Sequence, residues 1–268
     1  MGMKIAFIGG GVMAEAIIGG IVDAGITPAG SISVGEPVES RRQYLEDTYG
    51  LTTHGDNLEA VDGASLTILA VKPQSLPHVF PQLSGKLSED NTVLSIVAGA
   101  NMTTLTSGLA HDAVIRVMPN TPAQIGAGMT MWTSSDSVSE AAKDATRSIL
   151  RTLGEEVYAH DEGMIDMATA LSASGPAYVF LFIEALIDAG VYLGLARDVS
   201  RQLALQTVLG STQLVKDSGK HPAELKDMVT SPGGTTIEAL KAFEDGGFRA
   251  AVFGAVSAAY EKSRALGG

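Results

Sequence analysis

Hydrophobic residues in the first 160 positions form short apolar runs that alternate with helical patterns. The runs of strand length are residues 4–8, 31–34, 66–71, 92–98, 113–118 and 128–132. The helical patterns between or after them are residues 38–48, 75–83, 103–110 and 138–153. This alternation predicts an α/β fold with a doubly wound parallel sheet, in which ligands bind at the carboxyl ends of the strands.

From about residue 162 the chain shows only long helical patterns. They cover residues 163–172, 176–193, 197–217, 222–229, 235–244 and 248–264. We therefore predict two domains, an α/β domain over residues 1–160 and an all-helical domain over residues 161–268. Residues 177–189 are almost entirely apolar except for Glu184 and Asp188, which is more than one face of a small domain needs. Burial against a second subunit explains this helix, and a fully internal helix is the alternative.

A glycine-rich turn follows the first predicted strand directly. Gly9, Gly11 and Ala14 have the spacing G-x-G-x-x-G/A, and a helical pattern continues to about residue 23. In dinucleotide-binding turns the first glycine makes the tight turn, the second admits the pyrophosphate, and the small third residue lets the helix pack on the strand. Because a strand precedes the motif and a helix follows it, we predict dinucleotide binding rather than a plain glycine turn.

The end of the second predicted strand gives opposite indications for NADH and NADPH. Glu36 stands roughly 20–25 residues after the glycines, where an acidic residue commonly binds the ribose hydroxyls and would repel a 2′-phosphate. Arg41 and Arg42 follow closely and could bind that phosphate, or they could lie on a solvated helix face. The sequence leaves the choice of cofactor open.

A second anion site is indicated near the C-terminus by the loop at residues 231–236, Ser-Pro-Gly-Gly-Thr-Thr. The glycines permit a tight turn, and the unpaired N–H groups of the helix that follows attract anions. The hydroxyls of Ser231, Thr235 and Thr236 add hydrogen bonds. The loop alone fits an ordinary capped corner between two helices, and the glycine turn at the other end of the chain is what favours a binding site.

Composition removes several classes of function. The 268 residues include no Cys and five scattered His, so disulfides and thiol nucleophiles are excluded and no metal site is expected. The formal net charge of −12, with no basic cluster longer than Arg41-Arg42, makes nucleic acid a poor partner. No uncharged apolar segment reaches the roughly 20 residues that span a bilayer. A cytoplasmic protein without a membrane partner is expected.

Four motifs resemble the pyrroline-5-carboxylate reductases, which complete proline biosynthesis. They are Ala-Val-Lys-Pro-Gln at 70–74, Arg-Val-Met-Pro-Asn-Thr-Pro at 116–122, Ser-Gly-Pro-Ala-Tyr at 174–178, and the long, highly specific run at 222–243. With the glycine turn, the resemblance covers essentially the whole chain. It implies a Rossmann domain and a helical C-terminal domain that interlocks in a homodimer. Such dimers commonly assemble further into a decamer, a ring of five dimers.

The resemblance also implies the reaction and the site residues. NADPH or NADH reduces the cyclic imine 1-pyrroline-5-carboxylate to L-proline, in sites between one subunit's cofactor and its partner's helices. The implied cofactor contacts are Gly9, Gly10, Gly11, Val12, Met13, Asn57, Ala70, Val71, Lys72, Pro73 and Ala98, to which the strand-end argument adds Glu36. The implied substrate contacts are Glu162, Ser231, Gly234, Thr235 and Thr236.

Three positions depart from the common family pattern. Ala173 replaces a Gly of the motif Ser-Gly-Ser-Gly-Pro, which adds a methyl group to a tight helix turn. Met228 replaces a residue that is polar in some relatives near the cofactor amide. Glu36 stands where several members carry a small hydroxyl residue.

The expected mechanism asks mainly for positioning and electrostatics, because hydride passes directly from the nicotinamide to the imine carbon. Ser231 and the N–H groups of Gly234 and Thr235 would hold the carboxylate, and the Thr236 hydroxyl would orient the ring nitrogen as the catalytic contact. A Thr hydroxyl is a poor acid, so hydrogen bonding is its expected role. Glu162 would be the nearest ionisable helper, or merely a first-turn helix acid.

Two other functions stay open on the sequence. One is a related reductase that acts on a different imine or on a β-hydroxy acid. The β-hydroxyacid class uses a lysine on the first long helix of the C-terminal domain, and residues 163–172 contain none. The other is a nucleotide-sensing protein without catalysis, in which an emptied substrate loop would be expected, whereas the 231–236 loop is intact.

Overall fold

The computed structural model of the chain describes residues 3–267 and divides into two compact units. The first unit contains the described residues up to Ser174 together with those from Ala259 onward, and the second is Gly175–Ala258. The two units therefore divide between Ser174 and Gly175. The domain boundary expected between residues 160 and 161 stays a prediction.

The first unit is built on an eight-stranded sheet. Its strands are β1 Ile5–Ile8, β2 Ile32–Gly35, β3 Thr52–His54, β4 Leu66–Leu69, β5 Thr92–Ser95, β6 Val114–Met118, β7 Gly128–Ser134 and β8 Gly154–Tyr158. The strand order is β3-β2-β1-β4-β5-β6-β7-β8, with β1 in the interior. All neighbours are parallel except β6 and β7, which are antiparallel. The sheet is therefore mostly parallel, as the sequence predicted, and its one antiparallel pair is β6 with β7.

Helices accompany the strands of this unit. They are α1 Val12–Asp23, α2 Glu39–Tyr49, α3 Asn57–Val61, α4 Leu76–Leu83, α5 Met102–Leu109, α6 Glu140–Arg151 and α7 Gly163–Ala168. The alternating side chains of β1 enter two apolar clusters: Ile5 and Phe7 pack with α1, while Ala6 and Ile8 pack with residues of α4 and α5. Burial of a strand on both faces is what produces a continuous apolar run in the sequence.

Two strands lacked a usable sequence pattern. The short β3 is only partly buried, and β8 alternates between half-buried and exposed residues, so neither forms an apolar run. The helix expected over residues 163–172 is α-helical only to Ala168 and continues as a π-helical turn, Thr169–Ala173. Ala173 packs there against the small buried cluster of Met118, Ala159 and Ile165.

The second unit is entirely helical. It contains α8 Gly175–Tyr192, α9 Arg197–Ser218, α10 Pro222–Met228, α11 Thr235–Asp245 and the first part of α12 Phe248–Gly267, whose last residues belong to the first unit. Helices α8 and α9 approach closely where a Cβ on Gly190 would lie 2.7 Å from the Ser200 hydroxyl oxygen. None of the residues of α8 is buried.

One helical run, Gly163–Tyr192, is long and apolar enough to cross a membrane by length and composition, with a mean hydropathy of 1.6 over its most apolar window. A single such helix is weak evidence for a membrane span, because a protein–protein interface also presents a contiguous apolar surface. Asp166, Glu184 and Asp188 interrupt this run.

Candidate active site

The glycine-rich turn presents open backbone between β1 and α1. Gly9 has φ of +95°, a region that favours glycine, and a Cβ there would lie 2.8 Å from the Ala70 carbonyl oxygen. Gly11 precedes α1 in an extended conformation, and no side chain among the described residues caps this helix start. A Cβ on Gly11 would meet no atom within 4 Å. The uncapped N–H groups and the open approach at Gly11 fit the pyrophosphate of a dinucleotide.

The residues expected to contact the cofactor follow neighbouring parallel strands. Gly9, Gly10, Gly11, Val12 and Met13 follow β1, Glu36 follows β2, Ala70, Val71, Lys72 and Pro73 follow β4, and Ala98 follows β5. Asn57 begins α3, where its side-chain oxygen lies against Gly35 and its amide donates to the Gln82 Oε1 at 2.8 Å. Carboxyl ends of adjacent parallel strands share one edge of a sheet, so the fold brings this set together at the edge where dinucleotides bind.

Glu36 is fixed at this edge by backbone donors. Its Oε2 accepts a hydrogen bond from the Gly10 N–H at 2.9 Å, and its Oε1 accepts one from the Val38 N–H at 3.0 Å. Both carboxylate oxygens are therefore oriented by the chain itself. An ionised carboxylate held in this way can accept hydrogen bonds from a ribose diol.

The two arginines after β2 are both committed to contacts within the first unit. Arg41 donates from Nε to the Gly10 carbonyl oxygen at 2.6 Å and from Nη2 to the Glu15 Oε2 at 2.5 Å. Arg42 donates from Nη1 to the carbonyl oxygens of Glu36 at 2.9 Å and Pro37 at 3.0 Å. Arg41, whose side chain is 26% exposed, therefore does not have the solvated helix-face role that was one of the two expectations.

A buried arginine network was not predicted from the sequence. Arg116 of β6 is 2% exposed, and it donates to the Glu162 Oε1 at 2.8 Å and to the Asp166 Oδ1 at 3.2 Å. The same Glu162 oxygen accepts from the Met102 N–H at the start of α5, at 2.7 Å. Ser263 of α12 donates to Asp166 at 2.9 Å. Glu162 is thus anchored between a guanidinium and a helix start, and it does not cap α7.

The sequence does contain a signal for this network. Arg116 interrupts the apolar run of β6, and an arginine is almost never fully buried unless it is paired. Two acids four positions apart, Glu162 and Asp166, lie on one face of a helix. A buried cation in a strand together with such a pair of acids predicts an ion cluster.

The 231–236 loop forms a tight turn at the start of α11. The Gly234 N–H donates to the Ser231 carbonyl oxygen at 3.1 Å, and Gly233 has φ of +64°, so the turn uses a glycine where one is favoured. The Ser231 hydroxyl lies against Gly234. Gly234 is the N-cap of the 11-residue α11 and, among the described residues, no side chain caps this helix start. The first N–H groups of α11 and the hydroxyls of Ser231, Thr235 and Thr236 are donors that can bind a carboxylate.

The five expected substrate contacts are divided between the two units. Ser231, Gly234, Thr235 and Thr236 come together in the loop of the second unit, and Glu162 belongs to the first unit. Met228, at the end of α10, is 67% exposed.

Family models match both parts of the chain. Residues 162–266 match the model described as pyrroline-5-carboxylate reductase dimerisation. Residues 4–99 match the model described as NADP oxidoreductase, coenzyme F420-dependent.

Full-length relatives carry one activity in their names. The pyrroline-5-carboxylate reductase of Synechocystis sp. is 44% identical over 267 residues, covering 100% of this chain and 99% of its own. The structure of a pyrroline-5-carboxylate reductase from Coxiella burnetii superposes with a TM-score of 0.91 at 33% identity and covers 100% of both chains. That of Plasmodium falciparum pyrroline carboxylate reductase, with NADP bound, gives a TM-score of 0.90 at 35% identity, covering 99% of this chain and 98% of its own.

These matches agree with the geometry of the glycine turn and of the 231–236 loop. The chain therefore belongs to the pyrroline-5-carboxylate reductases, NAD(P)-dependent oxidoreductases of proline biosynthesis that join a mostly parallel α/β nucleotide-binding domain to a helical dimerisation domain.

Proposed function

We propose that the two helix starts described above divide the work of reducing 1-pyrroline-5-carboxylate to L-proline. The start of α1 holds the pyrophosphate of NADPH or NADH, and the start of α11 holds the carboxylate of the imine. The observation that carries this proposal is that both helices begin at a glycine with no side-chain cap among the described residues. Each therefore offers free N–H donors to an anion.

The cofactor-binding set is proposed to act in three groups along the sheet edge. Residues 9–13 contact the pyrophosphate, and Glu36 and Asn57 contact the adenosine ribose. Ala70, Val71, Lys72, Pro73 and Ala98 line the remaining strand ends. When bound, the reduced nicotinamide supplies the hydride.

In the substrate loop, each group is proposed to meet one part of the imine. The Ser231 hydroxyl and the Thr235 N–H bind the carboxylate, together with the Gly234 N–H, which the carboxylate would share with the Ser231 carbonyl oxygen. The Thr236 hydroxyl donates to or accepts from the ring nitrogen and orients the imine for attack on one face. Fixed donors of this kind stabilise a reacting geometry without reorganising during the reaction.

Glu162 is proposed to add a fixed negative charge to the substrate site. Its anchoring by Arg116 and the Met102 N–H keeps the carboxylate in one orientation. A fixed carboxylate would favour the protonated iminium form of the substrate, which is the better hydride acceptor.

For assembly, we propose a homodimer formed by the helical domain, with residues 161–268 as the functional unit and residues 1–160 as the nucleotide-binding domain. The exposed apolar residues of α8 and α9 support this proposal. Further association into a decamer, a ring of five dimers, is proposed from the resemblance alone, and a cytoplasmic location is proposed from the composition.

The activity is tested by mixing purified protein with the cyclic imine and either NADH or NADPH. We expect loss of the reduced-nicotinamide absorbance and formation of L-proline, identified by chromatography. Oxidation of NADH or NADPH by a different imine but not by this one, or reduction of NAD+ or NADP+ by a β-hydroxy acid without any activity on this imine, would contradict the proposed role of the 231–236 loop.

A further inference from the structure

We infer that Glu15 determines cofactor specificity as a positioning residue: it holds Arg41 against the glycine turn, away from a 2′-phosphate, and so favours NADH over NADPH. This inference rests on the cofactor site proposed above and names a discriminating residue within it.

The first step is that Arg41 is held from three sides. Its Nε donates to the Gly10 carbonyl oxygen and its Nη2 to the Glu15 carboxylate. Its guanidinium carbon lies 4.9 Å from the centre of the Tyr44 ring. The Arg41 side chain is only 26% exposed. To bind a phosphate in bidentate fashion, Arg41 would have to release a charged partner that is already in place.

The second step is that Glu15 is itself fixed and ionised. Its Oε1 accepts from the Tyr44 hydroxyl at 2.9 Å and from the Tyr49 hydroxyl at 3.3 Å, while its Oε2 accepts from Arg41. Partial burial would raise the pKa of Glu15, but the hydrogen bonds from Arg41 and the tyrosines and the charge of Arg41 together outweigh burial and lower it. Burial and the charge of Glu15 raise the pKa of Tyr49. The Glu15 carboxylate is therefore charged at neutral pH and held in an ion pair with Arg41.

The third step concerns the charge that a phosphate would meet. Glu36 keeps its carboxylate at the strand end through the N–H groups of Gly10 and Val38, so it cannot turn away without losing both bonds. A phosphate monoester carries about −1.5 to −2 charge near pH 7. It would meet the fixed negative charge of Glu36, while the positive charge of Arg41 is offset by Glu15. A ribose diol meets only acceptors that suit its hydroxyls.

Together these contacts pin Gly10 on both sides, its N–H by Glu36 and its carbonyl by Arg41. A purely structural role for the Glu15–Arg41 pair would weaken NADH and NADPH equally when the pair is broken. A specificity role would change the ratio of kcat/KM for NADPH to that for NADH. The two roles are therefore separated by kinetics with both cofactors.

The test compares kcat/KM for NADPH and for NADH in Glu15→Gln and in Glu39→Gln, which removes the same charge from an exposed position in the first turn of α2. We expect the NADPH to NADH ratio to rise about fivefold or more in Glu15→Gln and less than about twofold in Glu39→Gln. In an Arg41→Ala background, Glu15→Gln should no longer move the ratio, because Glu15 acts through Arg41. Equal changes for both cofactors, or an equal effect of Glu39→Gln, would overturn the inference.

Arg41→Ala by itself keeps the inference testable if Glu15→Gln does not fold. Since Arg41 is withheld from the phosphate in the wild-type protein, its removal should change the ratio less than about twofold. A fall of about fivefold or more would mean that Arg41 already binds the phosphate. Gly11→Val tests the proposed cofactor site independently of the specificity inference. If this variant binds both cofactors normally, the cofactor site is misplaced and the inference fails with it.

Discussion

Helices α1 and α8 are both strongly apolar, yet their environments are opposite. α1 buries Ile17, Ile18 and Ile21 completely in the core beside the sheet. α8 has no buried residue, and Phe180 and Leu181 are 61% and 67% exposed. Apolar composition therefore indicates that a helix surface is buried in the functional protein, but it does not identify the surface that packs against it. In α1 the sheet of the same chain covers the helix, and in α8 the covering surface has to come from elsewhere.

The family match assigns that surface to a dimerisation domain over residues 162–266. Each large apolar side chain that becomes fully buried contributes about 1.5–3 kcal/mol. In a symmetric dimer every such contact occurs twice. The comparison predicts that changes in the first unit alter cofactor binding without altering assembly, and that changes on α8 do the reverse.

The largest expected effect is on the glycine turn of the first unit. Gly11→Val should abolish binding of both nicotinamides while leaving folding and assembly intact, because the new side chain meets open space in the protein but occupies the pyrophosphate position. Titration of cofactor by protein fluorescence or calorimetry measures this. Gly30→Val is the matched control, since a Cβ there also meets no atom within 4 Å, and it should bind normally. If Gly11→Val binds the cofactor normally, the pyrophosphate does not bind at this turn.

The next effect concerns the uncovered helix. Leu181→Asp should weaken self-association about 100-fold or more, because a buried aspartate in each subunit costs several kcal/mol without a partner. Sedimentation velocity over a dilution series would measure it. Ile125→Asp is the control from the first unit, where Ile125 is 82% exposed, and it should leave association unchanged. If both variants associate like the wild-type protein, α8 is not in the interface.

The third effect is expected on turnover, through the substrate loop. Thr236→Ala should lower turnover by ~30- to 1000-fold, the equivalent of an orienting hydrogen bond worth ~2–4 kcal/mol. Cofactor affinity and assembly should stay near wild type. Thr236→Ser restores the hydroxyl and should recover most of the rate. A loss of less than about threefold in Thr236→Ala would remove this residue from the mechanism.

The smallest effect is on the choice of cofactor. Glu36→Ser removes the carboxylate that accepts from Gly10 and Val38, so NADH loses its diol acceptor and NADPH loses a repulsive neighbour. We expect the ratio of kcat/KM for NADPH to that for NADH to rise by about three- to tenfold. Steady-state kinetics with both cofactors checks this. An unchanged ratio would direct attention to Asn57 and Lys72.

The sequence predicted those parts of the molecule that depend on neighbours in the chain. β1 and its glycine turn were predicted because both depend on a few consecutive residues. Burial on both faces requires a continuous apolar run, and the left-handed turn requires a glycine. β3 and β8 were missed because edge strands with partial burial carry no apolar run. The ion pair between Arg41 and Glu15 joins residues 26 positions apart, a distance at which side-chain pairing has no local signature. For Arg116, the interrupted apolar run of β6 indicates that a buried cation needs an acidic partner, but Glu162 lies 46 positions away and the run does not identify it.

The most direct test of the account is the mass of the wild-type protein in solution, measured by sedimentation or light scattering at micromolar concentration alongside its activity. The uncovered apolar surface of α8 predicts a species of at least twice the 27.7 kDa chain mass, with activity that falls as dilution releases single chains. A single species of 27.7 kDa with full activity would contradict the claim that a second copy covers this helix.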